Sequence, residues 1–357
     1  MITRGLPQPE HESQASQASQ ARKAWRHSKT SRRRRRGTSI VATLLAVVMA
    51  IAGAVLTGTA VAAPASAAVV RIDRVDDQLS IVYVYSPSMS KVIPNQVLRP
   101  RGDGSAPVFY LLNGRSGGVE GDSWLEQTDH RSFFAGKNVT VVSPLGGPYS
   151  WYADWQRPDP ALGVNKWETY LLRELPGAIA GPLRANGRNA IAGLSLSGGP
   201  ALDIAGRGGS LYRAAASYSG CPAISAPPAT AGVLATTSIG GGNALNMFGP
   251  PGSPAWVDHD PSRNPTRLRG KAIYLGAASG LPGRTDGAPV GAPSLLAGPA
   301  EVEMGTRWCT DQMAAALNGA GVPHTYRVFD QGAHTWSLFA TEMRDSWRVI
   351  GPALGAC

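Results

Sequence analysis

The segment Gly193–Gly199 constrains the fold of this chain more than any other part of the sequence. A mainly apolar run, Asn189–Ala192, leads into it, and small residues after it begin a predicted helix. Ser195 therefore lies at the apex of a strand, a sharp turn and a helix, where small neighbours permit a tight bend and expose the hydroxyl. The helix N-terminus behind it offers backbone N–H groups to a developing negative charge. The usual pattern has glycine where this chain has Ser197, so an ordinary Gly/Ser-rich turn is the alternative.

Apolar segments alternate with segments of helical spacing along the chain. Short apolar runs bounded by turn residues are typical of strands that are covered on both faces. Trp167, Leu171 and Leu175 predict a helix over Lys166–Leu175, which Pro176 kinks or ends. The other predicted helices are Glu303–Leu317 and Thr341–Val349, and the predicted strands include Leu79–Tyr85, Asn95–Leu98, Pro107–Leu112, Val139–Val142, Ala214–Ser219, Lys271–Leu275 and Tyr326–Phe329.

The segment Pro222–Pro261 is rich in Gly, Pro, Ala and Ser and has little periodicity. We expect it to be an irregular excursion over the C-terminal edge of the sheet. Alternation of strands and helices on either side of it predicts a mainly parallel sheet with helices on both faces. The sequence shows no internal repeat and no second domain boundary, so we expect a single α/β domain.

The first 67 residues have the composition of an export signal. Five consecutive arginines, Arg32–Arg36, precede the apolar run Ile40–Ala63, and Pro64–Ala67 ends it with a small-x-small cleavage site. We therefore expect cleavage between Ala67 and Ala68, and a secreted mature chain of residues 68–357. The apolar run is also long enough to span a bilayer, so an uncleaved anchor is the alternative. The general and the twin-arginine export routes both remain open.

The basic character of the chain belongs mainly to this signal. The formal net charge is +10, and ten Lys and Arg against two Glu in residues 1–67 supply +8 of it. The mature chain keeps +2, so the high pI does not indicate nucleic-acid binding, and we expect no nucleic-acid partner. Its length is sufficient for one large domain with a substantial core.

Export also permits disulfides, and the chain has three cysteines. Cys221 follows a predicted core strand and Cys309 lies in a predicted helix, so we expect these two internal residues to pair. Two free buried thiols are the alternative, and Cys357 at the chain end is left over. No Cys/His spacing is typical of a zinc site, and we expect neither a metal nor a cofactor.

A base for Ser195 is expected in the loop that follows the last predicted strand. His334 lies there, which agrees with the chain order nucleophile, acid, histidine. An orienting acid is expected after the preceding strand, and the residues alone leave Asp286, Glu301 and Glu303 open.

An oxyanion site is expected beside Ser195. Its second donor should come from the loop after an earlier strand, which here is the Gly-rich segment Leu112–Gly118. The N–H of Arg115 would then pair with the N–H of Leu196. A Gly-rich turn without this role is the alternative.

Several separate segments resemble the secreted mycolyltransferases of the antigen 85 family. They follow the order of that family between Val75 and Trp347, and Lys166–Thr169 is the most specific of them, because a general α/β-hydrolase does not require it. The resemblance implies an α/β-hydrolase fold. The segments are Tyr85–Met89, Phe109–Gly114, Tyr152–Trp155, Lys166–Thr169, Gly193–Leu196, Asp260–Pro261 and His334–Trp336.

The resemblance also implies roles for individual residues. The family's catalytic acid, a Glu at the start of the helix before the last strand, corresponds to Glu303, with Glu301 as the second choice. The family's trehalose-recognising Asp is Asn113 here, and Asn113 and Trp336 are the expected substrate-binding residues. The Leu-Arg that follows in the mycobacterial antigens is also replaced, by Arg115 and a serine. The Gly-rich version of this loop resembles that of the corynomycolyl-type relatives.

The implied function is an exported acyltransferase of the cell envelope. It would move mycolyl groups between trehalose esters and cell-wall acceptors such as the arabinan of arabinogalactan, through an acyl-enzyme on Ser195. The apolar stretch Pro222–Pro251 is a candidate wall for the lipid chain. A secreted carboxylesterase that uses water as acceptor and a non-catalytic wall-binding relative are the alternatives.

Overall fold

The sheet combines the predicted parallel part with an antiparallel extension at one edge. The computed structural model describes residues 66–283, 286 and 298–356. Its strands are β1 (Ala68–Arg74), β2 (Leu79–Ser86), β3 (Lys91–Leu98), β4 (Ala106–Leu112), β5 (Thr140–Pro144), β6 (Ala185–Leu194), β7 (Tyr212–Tyr218), β8 (Ala272–Ala278) and β9 (Thr325–Phe329). They form one sheet of order β1-β2-β3-β5-β4-β6-β7-β8-β9. The pairs β1–β2, β2–β3 and β3–β5 are antiparallel. All the other pairs in this order are parallel.

Helices cover both faces of this sheet, as predicted. They are α1 (Trp124–Gln127), α2 (His130–Phe134), α3 (Trp167–Thr169), α4 (Leu175–Ala180), α5 (Gly198–Arg207), α6 (Pro227–Ile239), α7 (Leu245–Phe248), α8 (Pro254–Asp258), α9 (Pro299–Gly319) and α10 (Trp336–Leu354). A π-helical turn, Tyr170–Glu174, joins α3 to α4, and 3-10 turns span Ser195–Ser197, Gly209–Leu211 and Pro265–Leu268.

The central strand β4 shows why the sheet needs two layers of helices. Successive strand side chains point to opposite faces, and every residue of β4 is buried. Tyr110 and Leu112 pack in the core that contains α4, α5 and α9. Phe109 and Leu111 pack in the opposite core, which contains α1, α2 and α10. A strand that is apolar on both faces therefore lies in the middle of a three-layer α/β domain.

The helix predicted over Lys166–Leu175 continues past its proline. The π-helical turn Tyr170–Glu174 widens the backbone immediately before Leu175, and Pro176 then lies in the first turn of α4. At that position the missing N–H of proline leaves no helical hydrogen bond broken. Pro176 therefore restarts the helix rather than ending it.

The prediction that Pro222–Pro261 is irregular is wrong in part. This segment contains α6, α7 and α8. Prolines in the first turn begin α6, where their fixed φ is suited to a helix. Ala229, Val233 and Thr237 lie four residues apart and bury one stripe of the helix. Small and β-branched residues concealed this periodicity, because few of them are strongly apolar.

The predicted export signal lies almost wholly outside the described residues, of which only 66 and 67 belong to it. Every described residue falls within one compact unit. In the described ranges, no helix combines the length and the apolar character needed to cross a membrane.

Candidate active site

The end of β6 forms a strained turn that presents Ser195. This serine has φ +52°, a left-handed conformation that non-glycine residues rarely adopt. A Cβ on Gly193 would lie 2.3 Å from the backbone O of Ser197, and a Cβ on Gly199 would lie 2.5 Å from the backbone O of Cys221. Only glycine fits at these two positions. Strain of this kind is characteristic of functional turns.

Ser197, which replaces the usual glycine, has a structural role in this turn. Its buried Oγ accepts a hydrogen bond from the N–H of Leu194 at 2.9 Å and donates to the carbonyl of the same residue, also at 2.9 Å. Both bonds close the turn from inside. The departure from the usual pattern therefore preserves the turn.

Three side chains form one hydrogen-bonded chain at the C-terminal edge of the sheet. Nε2 of His334 lies 2.7 Å from Oγ of Ser195, and Nδ1 of His334 lies 2.9 Å from Oε2 of Glu303. Glu303 is completely buried. Of the three acids that the residues alone left open, the structure brings Glu303 to the histidine. Oε2 of Glu301, two residues earlier, is buried without a hydrogen-bond partner among the described residues.

The carboxylate of Glu303 is held by groups other than the histidine. Its Oε1 accepts hydrogen bonds from the N–H of Ala278 at 2.7 Å and from Oγ of Ser219 at 2.8 Å. Ser219, directly after β7, has φ +46°, so the hydroxyl that contacts Glu303 is also held by a strained backbone. Sequence reasoning missed Ser219; the available signal was a polar residue directly after a buried parallel strand.

Asp286 supports the histidine loop but does not contact the imidazole. Its Oδ1 accepts hydrogen bonds from the N–H of Ala333 at 2.8 Å and from the hydroxyl of Thr335 at 3.2 Å. These residues flank His334. The acid that sequence analysis left as a third choice therefore positions the loop.

The loop that was predicted to supply the second oxyanion donor lies against the turn of Ser195. A Cβ on Gly114 would be 2.8 Å from Cδ1 of Leu194 and 4.0 Å from Cβ of Ser195. Arg115 follows in an exposed turn. Leu196 lies in the first turn of the helical segment after β6, where N–H groups have no intrahelical acceptor. Both predicted donors thus lie on segments adjacent to Ser195.

The prediction that Asn113 binds substrate is corrected by the structure. Asn113 is completely buried. Its Nδ2 donates to the carbonyl of Pro144 at 3.1 Å, and its Oδ1 accepts from the N–H of Trp124 at 3.2 Å. Both ends of the amide are thus bonded to backbone groups. Asn113 ties β5 to α1 and cannot present its amide to a sugar.

Trp336 lies at the start of α10, half-buried beside the histidine loop. Its indole N–H donates to Oδ1 of Asp122 at 2.8 Å, and its ring packs edge-on against Trp124 at 5.5 Å between centroids. The polar atom of Trp336 is therefore engaged within the protein. A contact with substrate would use the apolar part of the ring and stays a prediction.

The predicted disulfide between Cys221 and Cys309 is present. It joins the segment after β7 to α9, the helix that carries Glu303. Cys357 lies outside the described residues.

A second polar cluster, apart from the three residues described above, includes one residue of α5. Glu168, Asp203 and His259 approach closely enough to be considered as metal ligands. Nε of Arg207, however, lies 3.0 Å from both oxygens of Asp203, and Nδ1 of His259 lies 2.9 Å from Oδ2 of Asp203. Burial raises the pKa of the Glu168 carboxyl, and the Arg207 charge opposes that shift. The Arg207 guanidinium, which also lies 3.8 Å from Glu168, supplies positive charge to these carboxylates. The cluster is therefore an ion-pair network.

Comparisons with known proteins identify the family of this chain. The sequence profile of the Esterase family matches residues 86–348. The diacylglycerol acyltransferase/mycolyltransferase Ag85C of Mycobacterium avium is 32% identical over 271 residues, which cover 74% of this chain and 76% of that protein. Ag85B of the same organism is 29% identical over 288 residues, which cover 78% of this chain and 84% of that protein.

Solved structures share the fold. MPT51 of Mycobacterium tuberculosis superimposes with a TM-score of 0.63 at 23% identity, over 75% of this chain and 96% of that one. An S-formylglutathione hydrolase from Agrobacterium tumefaciens gives 0.61 at 18% identity, over 81% of this chain and 100% of that one. The family profile spans most of the chain, and a relative above 30% identity covers about three quarters of it. The chain therefore belongs to the Esterase family and, within the α/β-hydrolase fold, to the antigen 85 acyltransferases.

Proposed function

We propose that this protein is a serine acyltransferase that moves mycolyl groups from trehalose esters to sugar hydroxyls of the cell envelope. The observation that carries the proposal is the hydrogen-bonded chain from Ser195 through His334 to Glu303 at a strained turn. The relatives named mycolyltransferases support the choice of acyl group. An intact chain of three residues favours an enzyme over a non-catalytic wall-binding relative.

In the proposed reaction each residue has a role in two half-reactions. Oγ of Ser195 attacks the ester carbonyl while Nε2 of His334 takes its proton, and Glu303 stabilises the resulting imidazolium through Nδ1–H. The N–H groups of Arg115 and Leu196 hold the oxyanion. The imidazolium then protonates the departing sugar oxygen, which leaves an ester on Ser195. In the second half-reaction the acceptor hydroxyl gives its proton to His334 and attacks this ester. The bond between the acyl carbon and Oγ then breaks, and the imidazolium returns the proton to Oγ of Ser195.

Hydrolysis is the second candidate, because the matching profile is that of esterases. The same residues would then deliver water to the acyl-enzyme. The buried amide of Asn113 cannot select the acceptor, so the exposed side of the Arg115 loop and the Trp336 ring are the proposed acceptor contacts. We further propose that the chain acts outside the cell after cleavage near Ala67.

A mature protein that begins at Ala68 tests both candidates. It is incubated with trehalose monomycolate, and dimycolate is measured against free mycolic acid; a predominance of dimycolate supports transfer, and free acid alone supports hydrolysis. Labelling by a fluorophosphonate, located by mass spectrometry, should occur at Ser195. Ser195→Ala should lose both activities, with Ser132→Ala, on α2, as the matched control. Turnover that persists in a folded Ser195→Ala protein would refute the proposal.

A further inference from the structure

A second buried carboxyl group, which the reaction described above does not use, lies behind the acid of the active site. Glu342 on α10 is completely buried. Its two oxygens lie 3.1 and 3.2 Å from Oγ of Ser219, the hydroxyl that also contacts Glu303. A Cβ on Gly276 would lie only 2.7 Å from Oε1 of Glu342, so the strand leaves the carboxyl no room to move away. One hydroxyl therefore bridges two buried carboxyl groups.

Ser219 has only one hydroxyl hydrogen, which decides the donor in its hydrogen bonds with Glu303 and Glu342. A serine hydroxyl donates a single hydrogen and can accept another. The shorter contact, 2.8 Å, runs from Ser219 to Glu303, which must be ionised to serve His334. Oγ of Ser219 can then only accept from Glu342, and this bond requires a proton on the Glu342 carboxyl.

The surroundings of Glu342 favour the protonated form. From neighbouring elements it is faced by Glu303 of α9, Tyr218 of β7 and Tyr274 of β8, and on its own helix by Asp345. Asp345 is itself paired with an arginine at 3.0 Å. Burial raises the pKa of the Glu342 carboxyl well above its usual range, and the charge of Glu303 raises it further.

We propose that Glu342 is a positioning residue that stays protonated and, through Ser219, fixes the Glu303 carboxylate against His334. This inference rests on the proposed function, because that function gives Ser195, His334 and Glu303 their roles in the reaction. A neutral Glu342 leaves one negative charge beside the imidazolium, and its hydrogen bond polarises the Ser219 hydroxyl toward Glu303. An ionised Glu342 would instead place a second buried negative charge beside Glu303.

Substitutions that keep or remove the donor separate this role from simple packing. Glu342→Gln keeps an N–H donor for Ser219 and should retain kcat within about threefold. Glu342→Met keeps the volume without a donor, and it should lower kcat about tenfold with little change in KM. Ser219→Ala should cause a similar loss, and the double variant should lose no more than either single one. Asp345→Asn, one helical turn away, is the matched control.

Two readouts would not respond to a merely structural role. The infrared carbonyl stretch of a protonated carboxylic acid should be present in the wild-type protein at neutral pH, absent in Glu342→Gln and retained in Asp345→Asn. The acid limb of the pH profile of kcat should be unchanged in Glu342→Gln, because no charge is removed. A limb that moves to lower pH, or a wild-type spectrum without this band, would show that Glu342 is ionised and overturn the proposal.

The kinetic arm uses hydrolysis of a nitrophenyl ester and the rate of fluorophosphonate labelling of Ser195, so it does not depend on the natural acceptor. Absence of mycolyl transfer in the wild-type protein would refute the proposed function while these rates remain measurable. Wild-type rates and a wild-type pH profile in folded Glu342→Met would instead refute the role of Glu342 alone.

Discussion

Replacement of Glu303 by glutamine gives the sharpest test of the candidate active site. The carboxylate accepts three hydrogen bonds within 3.0 Å, from His334, Ser219 and the N–H of Ala278. An amide has one oxygen and one NH2 group, so it cannot accept all three. If its oxygen faces His334, its NH2 group faces the Ala278 N–H, and a buried donor is left unsatisfied at about 1–3 kcal/mol.

The alternative orientation of the glutamine avoids this penalty and inactivates the histidine. The amide oxygen keeps the Ala278 and Ser219 bonds, and the NH2 group donates to Nδ1 of His334. The imidazole must then carry its proton on Nε2, which faces Ser195 at 2.7 Å and can no longer accept the serine proton. We therefore expect kcat to fall about 10³–10⁴-fold, as for a wrong histidine tautomer in other triads, which corresponds to about 4–5 kcal/mol.

Steady-state hydrolysis of a soluble ester measures this loss, with circular dichroism to verify folding. Glu301→Gln is the matched control, because it lies on the same helix and its Oε2 has no hydrogen-bond partner among the described residues; its kcat should stay within about twofold. Nearly full activity in Glu303→Gln, together with a loss in Glu301→Gln, would show that the acid has been assigned two residues from its true position.

Three further predictions concern stability. Asn113→Asp should destabilise the protein by about 2 kcal/mol or more, because a buried carboxylate would face the carbonyl that the amide now donates to; urea unfolding measures it, and an unchanged midpoint would contradict the structural role. Reduction of the Cys221–Cys309 disulfide, which spans 88 residues, should cost about 4–5 kcal/mol and lower activity before global unfolding; three alkylatable thiols in unreduced mature protein would refute the bridge. Burial lowers the pKa of His130 to about 4. Because the unfolded chain takes up this proton near pH 6.5, stability should fall by up to about 3 kcal/mol as the pH drops from 6.5 through 4, and His130→Phe should lack this dependence in pH-resolved urea titrations.

The parts of the site that sequence reasoning located are those with a local signature. Ser195 follows an apolar strand and precedes small residues, and His334 follows the last strand, so each position is defined by its own segment. The identity of the acid needed the family resemblance, because position along the chain did not separate Glu303 from Glu301 and Asp286. The helix that carries Glu303 begins at Pro299, four residues before its predicted start. Asn113 was assigned wrongly because the direction of its side chain depends on Pro144, 31 residues away.

Of the remaining groups of the site, Ser219 has only the weak signal of a polar residue directly after a buried strand, and Glu342 has none. Ser219 and Glu342 are 123 residues apart and meet only because β7 and α10 pack together. The helix Pro227–Ile239 was missed for a similar reason, since tertiary packing rather than strong periodicity stabilises it. Contacts of long sequence separation are set by the assembled fold, which a single sequence does not display.

The hydrogen bond between Trp336 and Asp122 has a consequence for attempts to change which acyl acceptor the protein uses. It fastens the loop that carries Arg115 to the first turn of the helix behind His334. A chimera could receive this loop from a relative without a matching residue at the start of the helix. It would lose this hydrogen bond, and the indole N–H of Trp336 would have no oxygen to donate to. Loop and helix start therefore constitute a single exchangeable module, and directed evolution of the acceptor side should randomise both together.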